Sequence, residues 1–138
     1  MAVEARELRF AIDVSGSTLR SEDGTPLETP ATWTPEHLLL AALVRCSLAS
    51  LAHHAGRASL VVSQERGSAR ALVTRREEDG RYAVVEVELE LGVDIEPEPG
   101  ADERKELLAK AERDCFVGAS LRATPSYAWT VNGAAALF

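Results

Sequence analysis

Two cysteines, Cys46 and Cys115, are the side chains of this 138-residue sequence most able to do chemistry. Cys46 lies inside the longest apolar stretch, TPEHLLLAALVRCSLASLAHHAG (34–56), between Arg45 and Ser47. Cys115 follows the charged segment DERKELLAKAERD (102–114) and precedes FVGAS. A free thiol behaves as a small hydrophobe, so a cysteine within an apolar helix reads first as packing. As a thiolate it is a nucleophile, and two thiols brought together can cycle through a disulfide. The choice between these readings depends on where the rest of the chain puts the pair.

The three histidines point away from a metal centre. His53 and His54 are neighbours and project about 100° apart on a helix, and neither cysteine belongs to a CxxC or HxxxH pair. No metal is expected. There is no Gly-rich phosphate loop and no GxSxG elbow, so nucleotide binding and the usual serine hydrolase lack local support.

The element that must position Cys46 is bracketed by its own residues. Thr34 is an N-cap type, Pro35 suits the first helical position, and Gly56 is a stop, which predicts a helix of about twenty residues. From Leu38 to Ala52 it is apolar almost all round, so burial on most sides is expected. Arg45 interrupts the run and leaves each side short of the roughly 20 residues that cross a bilayer, so it reads as a core helix and not a membrane span.

Before it, Leu8, Phe10, Ile12 and Val14 alternate with polar or small residues, predicting a strand with one buried face. Ser17 to Ser21 returns as a hairpin, and Thr25 to Trp33, with Pro26 and Pro30, reads as a loop. After it, 58–65 and 69–75 read as two strands separated by Gly67, and 77–80 as a turn. Arg81 to Val93 then sets Val85, Val87, Leu89 and Leu91 on one face and Glu86, Glu88 and Glu90 on a solvated one. EPEPG (96–100) breaks the sheet, and a second helix from Asp102 carries Leu107, Leu108 and Ala111. A helical turn follows over 116–122, and Tyr127, Trp129 and Val131 alternate in a last strand. The fold class is α+β with mostly antiparallel pairing, organised as one domain over 1–138.

The totals agree with such a domain: 46% apolar and 27% charged residues, as in ordinary soluble proteins. A net charge of −7 without a basic cluster makes nucleic acid a poor partner. The N-terminal MAVEARELRF is charged and strand-like, unlike a signal peptide, so a cytoplasmic location is expected. There, a cysteine pair is more often redox-active or catalytic than a structural bridge.

PEHLLLAALVRCSLASLAHHA (35–55), LVTRREEDGRYAVVEVELEL between, and AERDCFVGASLRATPSYAWTV (111–131) together resemble the OsmC/Ohr family of thiol peroxidases. Pro-Glu followed ten residues later by Cys, with a second Cys beyond a hairpin and helix, carries the likeness. It implies an OsmC-like fold of antiparallel sheets around the long central helix, as an intertwined homodimer with two active sites at its interface. It also implies that Cys46 attacks a hydroperoxide and Cys115 resolves the product, without metal or flavin. An external dithiol, such as a lipoylated protein or thioredoxin, would then reduce the pair.

In that family a hairpin arginine and the Pro-Glu glutamate activate the thiol. Glu36 matches the glutamate, whereas Val14 stands near the arginine position. Arg20 is the nearest alternative on the hairpin, and Arg45 adjoins Cys46. Phe116 and Gly118 replace residues that are often Pro and Ser. Ten helical residues rise about 15 Å, so on an unbroken helix Glu36 would serve the cysteine of a partner chain. The expected substrates are organic hydroperoxides, with hydrogen peroxide a second candidate, in a pocket lined by Leu38, Leu39, Leu43, Phe116 and Trp33. Two other readings stand beside this: a small-molecule-binding or redox-sensing dimer without turnover, and a structural dimer with inert thiols.

Overall fold

Glycines with a positive φ set the turns of the N-terminal segment, because only a residue without a Cβ adopts that backbone at little cost. Gly16 (φ 60°) joins β1 (Ile12–Ser15) to β2 (Thr18–Ser21), and Gly24 (φ 87°) precedes β3 (Pro26–Glu28). The three strands pair antiparallel in the order β1-β2-β3. This computed structural model describes residues 5–136, so the first four residues of the strand-like N-terminus lie outside the described residues. Contacts divide the chain into two units, Met1–Pro35 and Glu36–Phe138.

Two expectations for the N-terminal unit need correction. The first strand begins only at Ile12, and Leu8, Phe10, Ile12 and Val14 are all exposed, so the alternation marks an apolar face without covering it. The stretch expected as a loop contains β3. Pro26 is tolerated there because β3 is an edge strand, where a missing N–H interrupts no ladder.

In the second unit, α1 (Pro35–Arg57) is one continuous helix of 23 residues. It is followed by the antiparallel pair β4 (Val61–Arg75) and β5 (Tyr82–Glu96), then α2 (Ala101–Arg113) and the single turn α3 (Phe116–Ala119). β6 (Ser126–Val131) pairs parallel to β5, the connection through α2 and α3 being long enough for a crossover. β7 (Ala134–Ala136), not anticipated from sequence, returns on β6 through Asn132 and Gly133, both at positive φ. The sheet order is β4-β5-β6-β7.

β4 is a single strand where two were expected. Gly67 does not break it; the glycine lets the strand pass Leu91. A Cβ there would lie 2.5 Å from the Leu91 Cδ2 and 3.2 Å from the Glu90 carbonyl. The irregularities fall instead between Ser63 and Arg66, where Gln64 takes φ 52°, and between Leu72 and Val73.

One core joins the elements of this unit: Leu43, Leu48, Leu51 and Ala55 of α1, Val87 to Ile95 on alternate residues of β5, Leu107, Leu108 and Ala111 of α2, Cys115, and Trp129 and Val131 of β6. The opposite face of β5 carries exposed Glu86, Glu88 and Glu90, as the alternation implied. Helix α1 departs from expectation. Only Leu43, Ser47, Leu48, Leu51 and Ala55 are buried, so one side is packed while Ala42, Ala49 and Ala52 stay exposed. By length and mean hydropathy alone α1 would pass for a membrane span, but its buried side is seated in the core. Gly67→Ala should destabilise the protein by about 1–3 kcal/mol, because Leu91 is buried and cannot swing away. A denaturant midpoint unchanged from the parent would contradict the close packing.

Candidate active site

Along α1 the buried row at four-residue spacing reads Leu43, Ser47, Leu51, Ala55. A serine in an otherwise apolar row must find partners, since an unpaired buried hydroxyl costs about 1–3 kcal/mol. Ser47, wholly buried, finds two: its hydroxyl lies 2.9 Å from the Tyr127 hydroxyl and donates to the Cys115 sulfur at 3.5 Å. Cys115 in turn is the N-cap residue of α3 and is itself wholly buried. Its sulfur accepts from the Gly118 N–H at 3.4 Å.

Cys46, one residue before Ser47, is half-buried on the adjoining side of α1. The two thiols, carried by elements separated by the whole β4–β5 hairpin and α2, lie near one another at the edge of the core, and both are free. Burial is the largest influence on Cys46 and pushes its thiol up. The neighbouring Cys115 adds to this, while the backbone of Val117 and Phe116 pulls the other way. The first turn of α3 therefore addresses both sulfurs, Cys46 through Val117 and Phe116, Cys115 through Gly118.

Tyr127 ties this cluster to β6. Its ring stacks on Trp129, centroids 5.8 Å apart and planes 4° apart, and the Trp129 Nε1–H donates to Glu112 Oε2 at 2.9 Å. Burial pushes the Glu112 carboxyl up, with the Trp129 hydrogen bond opposing it. A cavity of about 350 Å³ lies alongside, lined by Glu112, Arg113, Gly118, Leu121, Pro125 and Tyr127.

Of the residues singled out in the sequence, the structure brings Cys46 and Cys115 together. Glu36 is exposed in the first turn of α1, and because the helix is unbroken it stands about 15 Å from Cys46 along the axis. Arg20 belongs to the N-terminal unit, on β2, where its guanidinium donates to the Gly24 carbonyl at 3.2 Å. Arg45 is exposed. Of the expected pocket residues in this unit, Leu43 is buried, Leu38 and Leu39 are half-buried, and Phe116 is exposed. Among the described residues no group of three or more His, Cys, Asp or Glu could hold a metal ion. His54 instead bonds Asp114 at 2.8 Å. Sequence reasoning missed Ser47 and Tyr127. The signal for Ser47 was present, a lone polar residue in the buried i, i+4 row.

The OsmC-like protein model matches residues 28–130, and the chain belongs to the OsmC-like family. No curated protein matches the sequence. An OsmC-like protein of unknown function from Vibrio cholerae is similar over 81% of this chain and 82% of its own, with TM-score 0.71 and 17% identity. An OsmC-like protein from Mycoplasma pneumoniae is similar over 93% and 99%, with TM-score 0.68 and 16% identity. The organic hydroperoxide resistance protein OhrB of Bacillus subtilis is similar over 90% and 96%, with TM-score 0.54 and 16% identity. These likenesses are of fold, and they agree with the α+β, OsmC-like architecture expected from the sequence.

The half-buried phenol of Tyr127 gives this site a pH signature. Burial, the largest cause, pushes Tyr127 from its ordinary 10.0 up to about 12, against the pull of the Ser47 hydrogen bond. The unfolded phenol loses its proton first, so this contribution to stability is intact below pH 10.0 and lost as pH rises toward about 12. Denaturant midpoints across that window should fall less steeply in Tyr127→Phe than in the parent. Parallel slopes would contradict the burial assigned to the hydroxyl.

Proposed function

We propose that this protein is a cysteine-based peroxidase acting on organic hydroperoxides, with hydrogen peroxide a second substrate. The observation that carries this reading is the proximity of Cys46, half-buried and reachable, to Cys115, wholly buried behind it. An attacking thiol must meet its substrate, and a resolving thiol must meet only the attacking one.

In the proposed cycle the Cys46 thiolate attacks the outer oxygen of ROOH. The O–O bond breaks, RO⁻ leaves and takes a proton to give the alcohol, and Cys46 is left as a sulfenic acid. The Cys115 sulfur then attacks the Cys46 sulfur. The S–O bond breaks, hydroxide leaves and combines with the proton given up by Cys115, and the disulfide forms with one water released. An external dithiol, such as a lipoylated protein or thioredoxin, reduces the disulfide by exchange and becomes a disulfide itself.

The working form in this reading is a cytoplasmic homodimer. The uncovered alanines of α1 support it, since an apolar helix side left open within one chain calls for a second. Glu36, too far along α1 to reach its own Cys46, would act across that dimer with Arg20 or Arg45 as the activating cation. A second reading, a dimer that binds a small molecule or senses redox state without turnover, draws on one observation. Cys46 is pushed up by burial, and no cation is among its largest influences.

With cumene hydroperoxide and a dithiol reductant, Cys46→Ser should lose turnover. Cys115→Ser should still consume the first equivalent and then slow by at least about tenfold. A Cys46→Ser protein that keeps the parent rate would remove the peroxidase reading, and an inert parent with tight ligand retention would favour the second.

A further inference from the structure

Cys115 stands at a corner: Asp114 closes α2, its N–H bonded to the Lys110 carbonyl, and Cys115 opens α3. Helix α1 holds this corner at two points. Ser47 donates to the Cys115 sulfur at 3.5 Å, and the His54 Nε2 lies 2.8 Å from Asp114 Oδ2. Ser47 and His54 are seven residues apart, which returns a helix to within about 20° of the same line, about 10 Å further along its axis. Both ties therefore lie on one side of α1, with Cys46 about 100° round from Ser47.

The two ties are unequal. A hydroxyl to a sulfur at 3.5 Å is a long bond between neutral groups. Arg113, donating twice to Asp114, holds that carboxyl well below its usual range, so it is ionised and can only accept. The His54 Nε2 therefore carries a hydrogen and donates it, in a short charge-assisted bond. Packing leaves this end of the two helices open, because a cavity of about 250 Å³ lies between them, lined by His54 and Arg57 of α1 and Leu107 and Lys110 of α2.

We infer that His54 is a positioning residue: through Asp114 it holds the corner between α2 and α3 against α1, and so sets how Cys115 is presented to Cys46. The consequence for the thiols rests on the two-thiol reading above, whereas the clamp stands apart from it. A disulfide closes only when its Cα atoms are about 4.4–6.8 Å apart, so a corner swivelling on Ser47 alone would bring the sulfurs into register less often. The backbone of Phe116 and Val117, which acts on Cys46, moves with the same corner.

His54→Leu removes the donor, while His54→Gln returns an amide N–H at the same number of bonds from the backbone. Equilibration with glutathione reads the presentation of the sulfurs without any peroxide. In it the protein's two thiols are oxidised to a disulfide, and one oxidised glutathione is reduced to two thiols. His54→Leu should lower that equilibrium constant at least about threefold, Asp114→Ala should lower it as much, and the double variant no further. His54→Gln should restore it. In Cys46→Ser protein, His54→Leu should speed alkylation of Cys115 by iodoacetamide at least about threefold, by letting the corner open locally. Denaturation midpoints check that each variant is folded, and a bond serving stability alone would move only those midpoints. A parent that closes its disulfide, with the same constant in His54→Leu, would overturn the inference. A parent that closes none, with faster alkylation in His54→Leu, would leave the clamp standing and remove the two-thiol cycle alone.

Discussion

The seating of one side of α1 in the core is the constraint on which the site depends. Leu43, Leu51 and Ala55 are without exposed surface, and burying each leucine contributes about 1.5–3 kcal/mol, so the rotation of the helix about its axis is fixed. Fixing that rotation determines everything near it. Ser47 falls in the same row and is forced to face Cys115 and Tyr127, while Cys46, one residue earlier, is turned to the rim where it is half-buried. A helix rotated by one residue would bury Cys46 and expose the serine.

The two thiols then sit in unequal surroundings. Cys46 is pushed up by burial and by its neighbouring thiol, with only backbone groups of α3 acting against this. Cys115 is more deeply buried but receives two hydrogen bonds, from Ser47 and Gly118. Within this unit the polar support is concentrated on the residue proposed to resolve and not on the residue proposed to attack. The proposed cycle calls for a cation beside Cys46, and the open side of α1 is where a second chain would bring groups to it.

Much of this was legible in the sequence because it rests on local signals. The bracket of Thr34, Pro35 and Gly56 predicted α1, and the alternation from Val85 to Leu91 gave β5 its two faces. The family likeness drawn from residues 34–131 agrees with the match over 28–130. What sequence missed depends on partners distant in the chain. Gly67 looked like a breaker because nothing local says that Leu91 will lie against it. The alternation from Leu8 to Val14 predicted a buried face because period alone does not say whether a cover exists. Apolarity all round α1 predicted burial on most sides, whereas one chain covers only one side. Ser47 and Tyr127 escaped notice because each is unremarkable alone, and only the packing of α1 against β6 makes them a pair.

The proposed cycle requires Cys46 and Cys115 to act as one redox unit. The most direct measurement is the intact mass of reduced protein after one equivalent of cumene hydroperoxide, with Cys115→Ser alongside. A loss of about two mass units in the parent, replaced in Cys115→Ser by the gain of one oxygen, is the predicted result. An unchanged mass with both thiols still titratable would contradict it and leave an OsmC-like fold whose paired thiols serve binding or sensing.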